Sequence, residues 1–269
     1  MLNYIFFDEQ KLLVDAKVKS QQLVMKDFLV SGAGSTEAYN LAFVNTLDLD
    51  LSLQVDRFLF HKFFAKNIKG ELNVHDGLIE ARSIVLYADE GQFNETFVLT
   101  RARLVTIILK ANLNGTGANL HELFVSFGNF GQEVLLAENI FGKADLNLQM
   151  SSRLQPDLYI DPATVNLKAG LLITDGNLKN YEPMRALSDF AHLDELRDVR
   201  FDRLENEISI HNSKIHIPEM TVQSNVLDLT ISGEHSFTNN IDYSMVLKLS
   251  EVLLSSGKRK IEAQNLIST

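Results

Sequence analysis

The chain contains no cysteine. That absence removes thiol catalysis, thiolate metal sites and disulfides together. It suits an oxidising compartment without requiring one. Tryptophan is absent too, whereas phenylalanine occurs 17 times, so aromatic bulk is expected to be buried grease rather than interface anchors. Only 4 prolines and 14 glycines punctuate the 269 residues, with no low-complexity linker. One elongated β-rich domain over 1–269 is therefore expected. Positive charge is scarce: 25 Lys and Arg stand against 35 Asp and Glu, for a net charge of −10 and a pI near 5.2. The densest basic run, Lys258-Arg259-Lys260, reads as a solvated edge or turn. Nucleic acid is excluded as a partner, because its binders carry a basic footprint. No run approaches the roughly 18 apolar residues of a spanning helix. The start, Met1 to Glu9, lacks the basic n-region and apolar h-region of an export signal. A cytosolic chain or a piece of a longer protein is expected, and the ending at Asn265–Thr269 leans to the piece.

What the chain has in abundance is alternation. From Leu47 to Asp56 it reads Leu-Asp-Leu-Asp-Leu-Ser-Leu-Gln-Val-Asp. Successive side chains point to opposite faces of a strand, so Leu47, Leu49, Leu51, Leu53 and Val55 share one face and Asp48, Asp50 and Asp56 the other. The pattern returns at Ala144/Leu146/Leu148/Met150, Val165/Leu167/Ala169/Leu171/Ile173, Leu227/Leu229/Ile231 and Ile241/Tyr243/Met245/Leu247/Leu249. Strands are expected near 11–18, 21–30, 41–44, 47–60, 68–75, 78–87, 94–100, 102–113, 143–150, 165–174, 207–211, 214–217, 219–224, 226–233 and 240–250. Gly32-Ala33-Gly34-Ser35, Asp76-Gly77, Asn114-Gly115-Thr116-Gly117, Asp175-Gly176 and Asn239-Asn240 read as the turns between them.

Two segments change to helical period. Asn119 is placed to cap a helix carrying Leu120, Leu123, Phe124 and Phe127. Pro183 sits at a first helical position before Met184, Leu187, Phe190, Leu193 and Leu196, whose drift predicts two short helices with Ser188 capping the second. Both stripes read as packing against the sheet. Gly70-x-Leu72-x-Val74-x-Asp76-Gly77 matches Ala169-x-Leu171-x-Ile173-x-Asp175-Gly176, a weak internal repeat that divides the chain into repeat-like parts 1–118 and 119–269.

Chemistry is harder to find. The seven histidines form no metal-ligand spacing and read as surface or turn residues, His75 and His235 beside turns. Asp48, Asp50 and Asp56 lie along a strand, whereas calcium wants oxygens converging from a bent loop, so they read as a solvated acidic face. No nucleophile elbow or phosphate-binding loop is present. Asn94-Glu95-Thr96 and Asn114-Gly115-Thr116 fit the glycosylation acceptor pattern, which is common by chance. No catalytic, cofactor-binding or metal residues are nominated, and no enzyme activity or cofactor is expected.

One stretch is distinctive. Leu123-Phe124-Val125-Ser126-Phe127-Gly128-Asn129-Phe130-Gly131-Gln132-Glu133 is followed by Asp175-Gly176, Tyr181-Glu182-Pro183-Met184, Leu187-Ser188-Asp189-Phe190 and Leu193-Asp194-Glu195-Leu196. Then come Val199-Arg200-Phe201, Glu205-Asn206-Glu207-Ile208, Ile215-His216-Ile217-Pro218, Ile231-Ser232-Gly233-Glu234-His235, Ile241-Asp242-Tyr243 and Leu247-Lys248-Leu249. In order and spacing, clearest over 120–250, this resembles the C-terminal region of AsmA-like proteins of the Bacteroidetes type. The resemblance implies a periplasmic protein, anchored in the inner membrane by an N-terminal helix this chain lacks, that serves outer-membrane biogenesis. Its superfamily looks like the bridge-like lipid-transfer proteins, whose curved sheets form an open apolar groove.

Pattern alone fits an ordinary sandwich with a dry core better; the resemblance reverses that preference. The resulting expectation is a mainly β fold, a long curved antiparallel sheet forming an apolar groove, with short helices near 119–128 and 183–198. Leu47, Leu49, Leu51, Leu53, Val55, Tyr243, Met245, Leu247 and Leu249 are expected to line the groove for a phospholipid or other lipid. Envelope proteins are possible further partners. The alternative is a closed scaffold that docks outer-membrane proteins along a sheet edge.

Overall fold

The computed structural model describes residues 2–8, 11–24, 30–31, 39–40, 47–76, 78–103, 106–131, 133, 135–155, 158–191, 193–226, 228–238 and 240–247. The chain is mainly β. The strands are β1 (Leu2–Asp8), β2 (Lys11–Ser20), β3 (Leu23–Val24), β4 (Val30–Ser31), β5 (Tyr39–Asn40), β6 (Leu47–Phe60), β7 (Phe63–His75), β8 (Leu78–Ala88), β9 (Gly91–Arg103) and β10 (Thr106–Asn119). Helix α1 (Leu120–Ser126) precedes β11 (Ile140–Leu154) and β12 (Asn166–Lys179). Helix α2 (Glu182–Ala191) precedes β13 (Asp198–His211), β14 (Lys214–Gln223), β15 (Asp228–Ser236) and β16 (Ile241–Leu247).

These strands build one open, curved 14-stranded sheet in the order β1-β2-β6-β7 and onward in sequence to β16, with β3 also on β6. Among the described residues β4 and β5 pair only with each other. From β6 onward each strand pairs antiparallel with the next, as expected of hairpins. One junction departs from the expected antiparallel sheet. β2 lies parallel to β6, from Leu12 opposite Leu47 to Ser20 opposite Val55. Both strands run the same way, so the chain must return between them before β6 begins.

Several strands are longer than their alternation indicated, because most contain an irregularity. Asp175-Gly176 and Asn114-Gly115-Thr116-Gly117 are not turns; they lie inside β12 and β10. Asp76 does close the β7–β8 hairpin, where His75 pairs with Leu78. The apparent repeat therefore joins a hairpin turn to a mid-strand bulge. Register also shifts between Lys66 and Glu71 in β7, Ala81 and Ile84 in β8, Gly115 and Ala118 in β10, and Ile217 and Met220 in β14. Asn67, Ser83 and Asp175, each at φ 52°, and Gly117 at φ 67° take the left-handed conformation there. β3 continues the line of β2 against β6 after the same kind of break, with Leu23 opposite Phe58. Together these positions form a seam across the sheet. A bulge inserts a residue, reverses the in-out phase and adds twist, so a row of them bends the whole sheet.

Small residues make room beside the seam. Gly115 pairs with Phe93 and Gly176 with Phe201 on neighbouring strands. A Cβ on Gly115 would lie 2.6 Å from the Phe93 ring, and one on Gly176 would overlap Phe201. The aromatic ring covers the glycine and restores the packing its missing side chain forfeits.

Asn119 caps α1 as expected, its side-chain oxygen accepting from the Glu122 N–H at 3.3 Å. The second helical segment differs from expectation. α2 is continuous from Glu182 to Ala191, and a short 3-10 turn follows at Asp194–Arg197. Ser188 caps nothing: it lies within α2, 1% exposed, and its Oγ has no hydrogen-bond partner among the described residues. The helix ends later, where the Leu193 N–H donates to the Ser188 carbonyl at 3.1 Å.

Two stability outcomes follow. Gly176→Val should destabilise the fold by about 1–3 kcal/mol through collision with Phe201, read as a lower urea midpoint at unchanged slope. Ser188→Ala should leave stability unchanged or raise it by up to about 1 kcal/mol, because it removes a buried hydroxyl to which no described residue bonds; a fall in melting temperature would contradict this.

Candidate functional site

The sheet has two unlike faces. Cross-strand register carries the apolar set from Leu51 to Leu72, and from Leu113 through Leu148 and Ala169 to Ile208. Along each bulged strand this face is continued by a shifted set, as from Ile173 to Gly176 and Leu178, or from Leu204 to Phe201 and Val199. Both sets meet in common clusters of buried side chains. They form the concave face.

At one end of the strands this face is covered. Leu120 and Phe124 of α1 pack with Ile140, Ala144, Ile173, Phe201 and Val222. Tyr181, Met184, Leu193 and Leu196 pack with Val199, Leu229 and Met245. Both helices thus lie on the concave side. A second cover comes from the sheet itself. The His61 ring, at the β6–β7 tip, stacks on Tyr159 at 4.0 Å between centroids. Leu158 is buried with Ile107, and Phe60, Ile79, Leu99 and Leu154 pack against them. The antiparallel register puts His61 and Tyr159 at opposite ends of their strands, so the sheet rolls across its own concave face to bring them together. Between these covers Leu49, Leu51, Leu53, Leu109, Leu148, Met150, Leu167, Ile208, Ile210 and Ile215 stay partly exposed.

The proposed lining residues fall in two distant groups. Leu47 to Val55 lie on β6, and Tyr243 to Leu247 lie on the edge strand β16, at the other end of the strand order. Leu49, Leu51 and Leu53 are partly exposed and Val55 is buried in the cluster around Ile68 and Phe93. Met245 packs in the α2 cluster, and the hydroxyls of Tyr181 and Tyr243 are hydrogen-bonded to each other. Burial, followed by the nearby Tyr243, pushes the Tyr181 phenol well above its usual range. The residues on β16 are therefore tied to the α2 segment rather than to β6. Of Leu47 and Leu247 the strand positions alone are described, and Leu249 lies outside the described residues.

Other expectations change in detail. The β6 carboxylates are bonded across strands: the Asn73 side-chain amide donates to Asp50, whose Oδ1 is 3.0 Å from His75 Nε2. Hydrogen bonding from Asn73, more than His75, holds the Asp50 carboxyl below its usual range. His235, expected at the surface, is 4% exposed. A shallow depression of about 660 Å³ on the opposite face is bordered by Lys110, Asn112, Gln149, Asn166, Lys168 and His211. No unpartnered buried side chain points into it among the described residues. Nor do the described residues bring three or more His, Asp or Glu together as a metal site.

The residue that sequence reasoning missed is Glu95. It lies in β9 opposite Ile84 of β8 and Leu113 of β10, both on the concave face. Phe93 and Phe97, two positions either side on β9, share that face with it. The signal was present: Phe93-x-Glu95-x-Phe97-x-Leu99 keeps strict phase, with a carboxyl in an apolar slot. Glu95 forms no hydrogen bond or ion pair with a described residue, and burial pushes its carboxyl from 4.5 up to about 7.

Comparison of the chain with protein-family models, with curated proteins and with solved structures gives no match. The concave face must be interpreted on its own chemistry.

Glu95 gives that chemistry a pH signature. The folded chain holds the carboxyl proton where the unfolded chain has lost it. The stability it contributes is present below about pH 4.5 and is lost as pH rises through about 7. Denaturation midpoints between pH 5 and 8 should fall less steeply in Glu95→Gln than in the parent. Parallel profiles would show that the carboxyl titrates at its ordinary value.

Proposed function

We propose that this chain is a non-catalytic envelope module that binds or conducts lipid along its concave face and contributes to outer-membrane biogenesis. The observation that carries the proposal is a continuous apolar surface, spread over many strands, for which two short helices and a rolled hairpin supply only partial cover. An alkyl chain laid on Leu53, Leu148 or Leu167 sheds water at about 0.8 kcal/mol per buried methylene. Polar head groups stay where the face opens to solvent. The module needs no reacting group, since the gain lies in transferring apolar surface out of water. The AsmA-like resemblance, with its periplasmic location and inner-membrane anchor, belongs to this proposal. No described helix is long and apolar enough to cross a membrane.

A second reading is a scaffold for outer-membrane proteins. It draws on β1 and β16, which are unpaired on their outer side among the described residues, and on Val246 of β16, which is 61% exposed. An unpaired edge can accept a partner's strand.

Native mass spectrometry and organic extraction of detergent-free protein test the first reading. Near-stoichiometric phospholipid is expected, lost in Leu53→Asp and Leu167→Asp variants that keep the β-rich circular dichroism of the parent. Protein that is folded, lipid-free and unable to take up a fluorescent phospholipid would overturn it in favour of the scaffold.

A further inference from the structure

Glu95 asks for a partner that the described protein does not provide. Its neighbours across the strands are Ile84 and Leu113, and along β9 they are Phe93 and Phe97. Ile84 and Phe93 are buried, while Phe97 and Leu113 remain partly exposed, so the carboxyl stands where the apolar surface begins to open. No described lysine or arginine pairs with it. A carboxylate taken partly out of water is unfavourable unless a cation or donors replace the lost solvent. Apolar surface beside an unpaired negative charge is complementary to one ligand chemistry, an alkyl chain that ends in a cation.

We infer that the concave face binds an amphiphile bearing an ammonium group, the ammonium paired with Glu95 and the alkyl chain lying along Phe97 and Leu113. The inference rests on the lipid-binding reading and names the head-group class that reading leaves open. Glu95 lies near the seam, four residues from the start of β9. From there the chain can run toward the partly exposed surface at Ala111 and Met150, which register places beside Phe97. An alkyl carboxylate in the same position would set two negative charges together, so the site discriminates by charge as well as by size. A zwitterionic lipid with an ammonium fits as well as a simple amine does.

The test uses the whole chain and three probes of equal length below their micellar concentrations: dodecylammonium, dodecanoate and dodecanol. Isothermal titration at pH 8 should show dodecylammonium binding at least tenfold more tightly than dodecanoate. Glu95→Gln should cut that preference to threefold or less while dodecanol affinity stays unchanged. Because the chain carries a net charge of −10, cations could gather on it without a site. Glu207→Gln, an exposed glutamate on the opposite face, controls for this and should keep the full preference. Equal loss in both variants, or an unchanged preference in Glu95→Gln, would overturn the inference. If dodecanol and phospholipid bind but dodecylammonium shows no advantage, the ammonium assignment fails and the lipid reading stands. If none of the probes binds and no phospholipid loads, both fail together.

Discussion

A wide sheet with one apolar face cannot leave that face in water, and the rest of this molecule follows from how the face is covered. A sandwich covers it with a second sheet. Among the described residues all the long strands belong to one sheet, so the cover seen comes from short helices and from the sheet's own curvature, and a ligand is the cover we propose for the rest. α1 and α2 supply the first at one end of the strands. The 3-10 turn after α2 deepens this cover, with Leu193 and Leu196 at 1% and 2% exposure. The middle of the face is left to the other two.

Curvature comes from the seam of bulges. One extra residue in a strand reverses its alternation, so a bulge in isolation would expose what its neighbours bury. The irregularities recur from the β2–β3 break through β7, β8, β10, β12 and β14, staggered by a few residues between strands, and on either side of this diagonal seam the apolar sets of neighbouring strands share a face. The sheet bends as a unit, and the β6–β7 tip reaches Tyr159 at the far end of β11. Phe93 over Gly115 and Phe201 over Gly176 fill the space that the bend opens. Packing, curvature and the shape of the concave face are thus one problem with one solution.

Function attaches to what that solution leaves unfinished. Leu53, Leu148 and Leu167 remain partly wet, and Glu95 stands among them without a partner among the described residues. In the proposed function an acyl chain answers the first, and in the further inference an ammonium head group answers the second. β1 and β16 end the sheet among the described residues, and they define the competing scaffold reading. Tyr243 and Met245, tied to the α2 segment, are less available to a ligand than the β6 leucines.

The β class, the apolar phase of β6, β11 and β12, and the Asn119 cap were legible in the sequence because each depends on residues a few places apart. Even Glu95 was legible, as a charge in an apolar slot between Phe93 and Phe97, had the phase of β9 been followed through. The parallel join of β2 to β6 was not, since register between distant segments is set by partners and leaves no local mark. Asp175-Gly176 and Asp76-Gly77 look alike in sequence, yet one is a bulge and the other a hairpin. The choice is made by whether the next strand continues against Phe201 or turns back. Ser188 looked like a cap and is a buried helix-interior residue, because the apolar stripe of Met184 and Leu187 carries one continuous helix through it to Ala191. The sequence by itself determined which side chains are apolar and in what period. Only the tertiary structure decided where the phase reverses and how the face curves. Those depend on many strands agreeing at once, and so does which carboxyl is left facing grease.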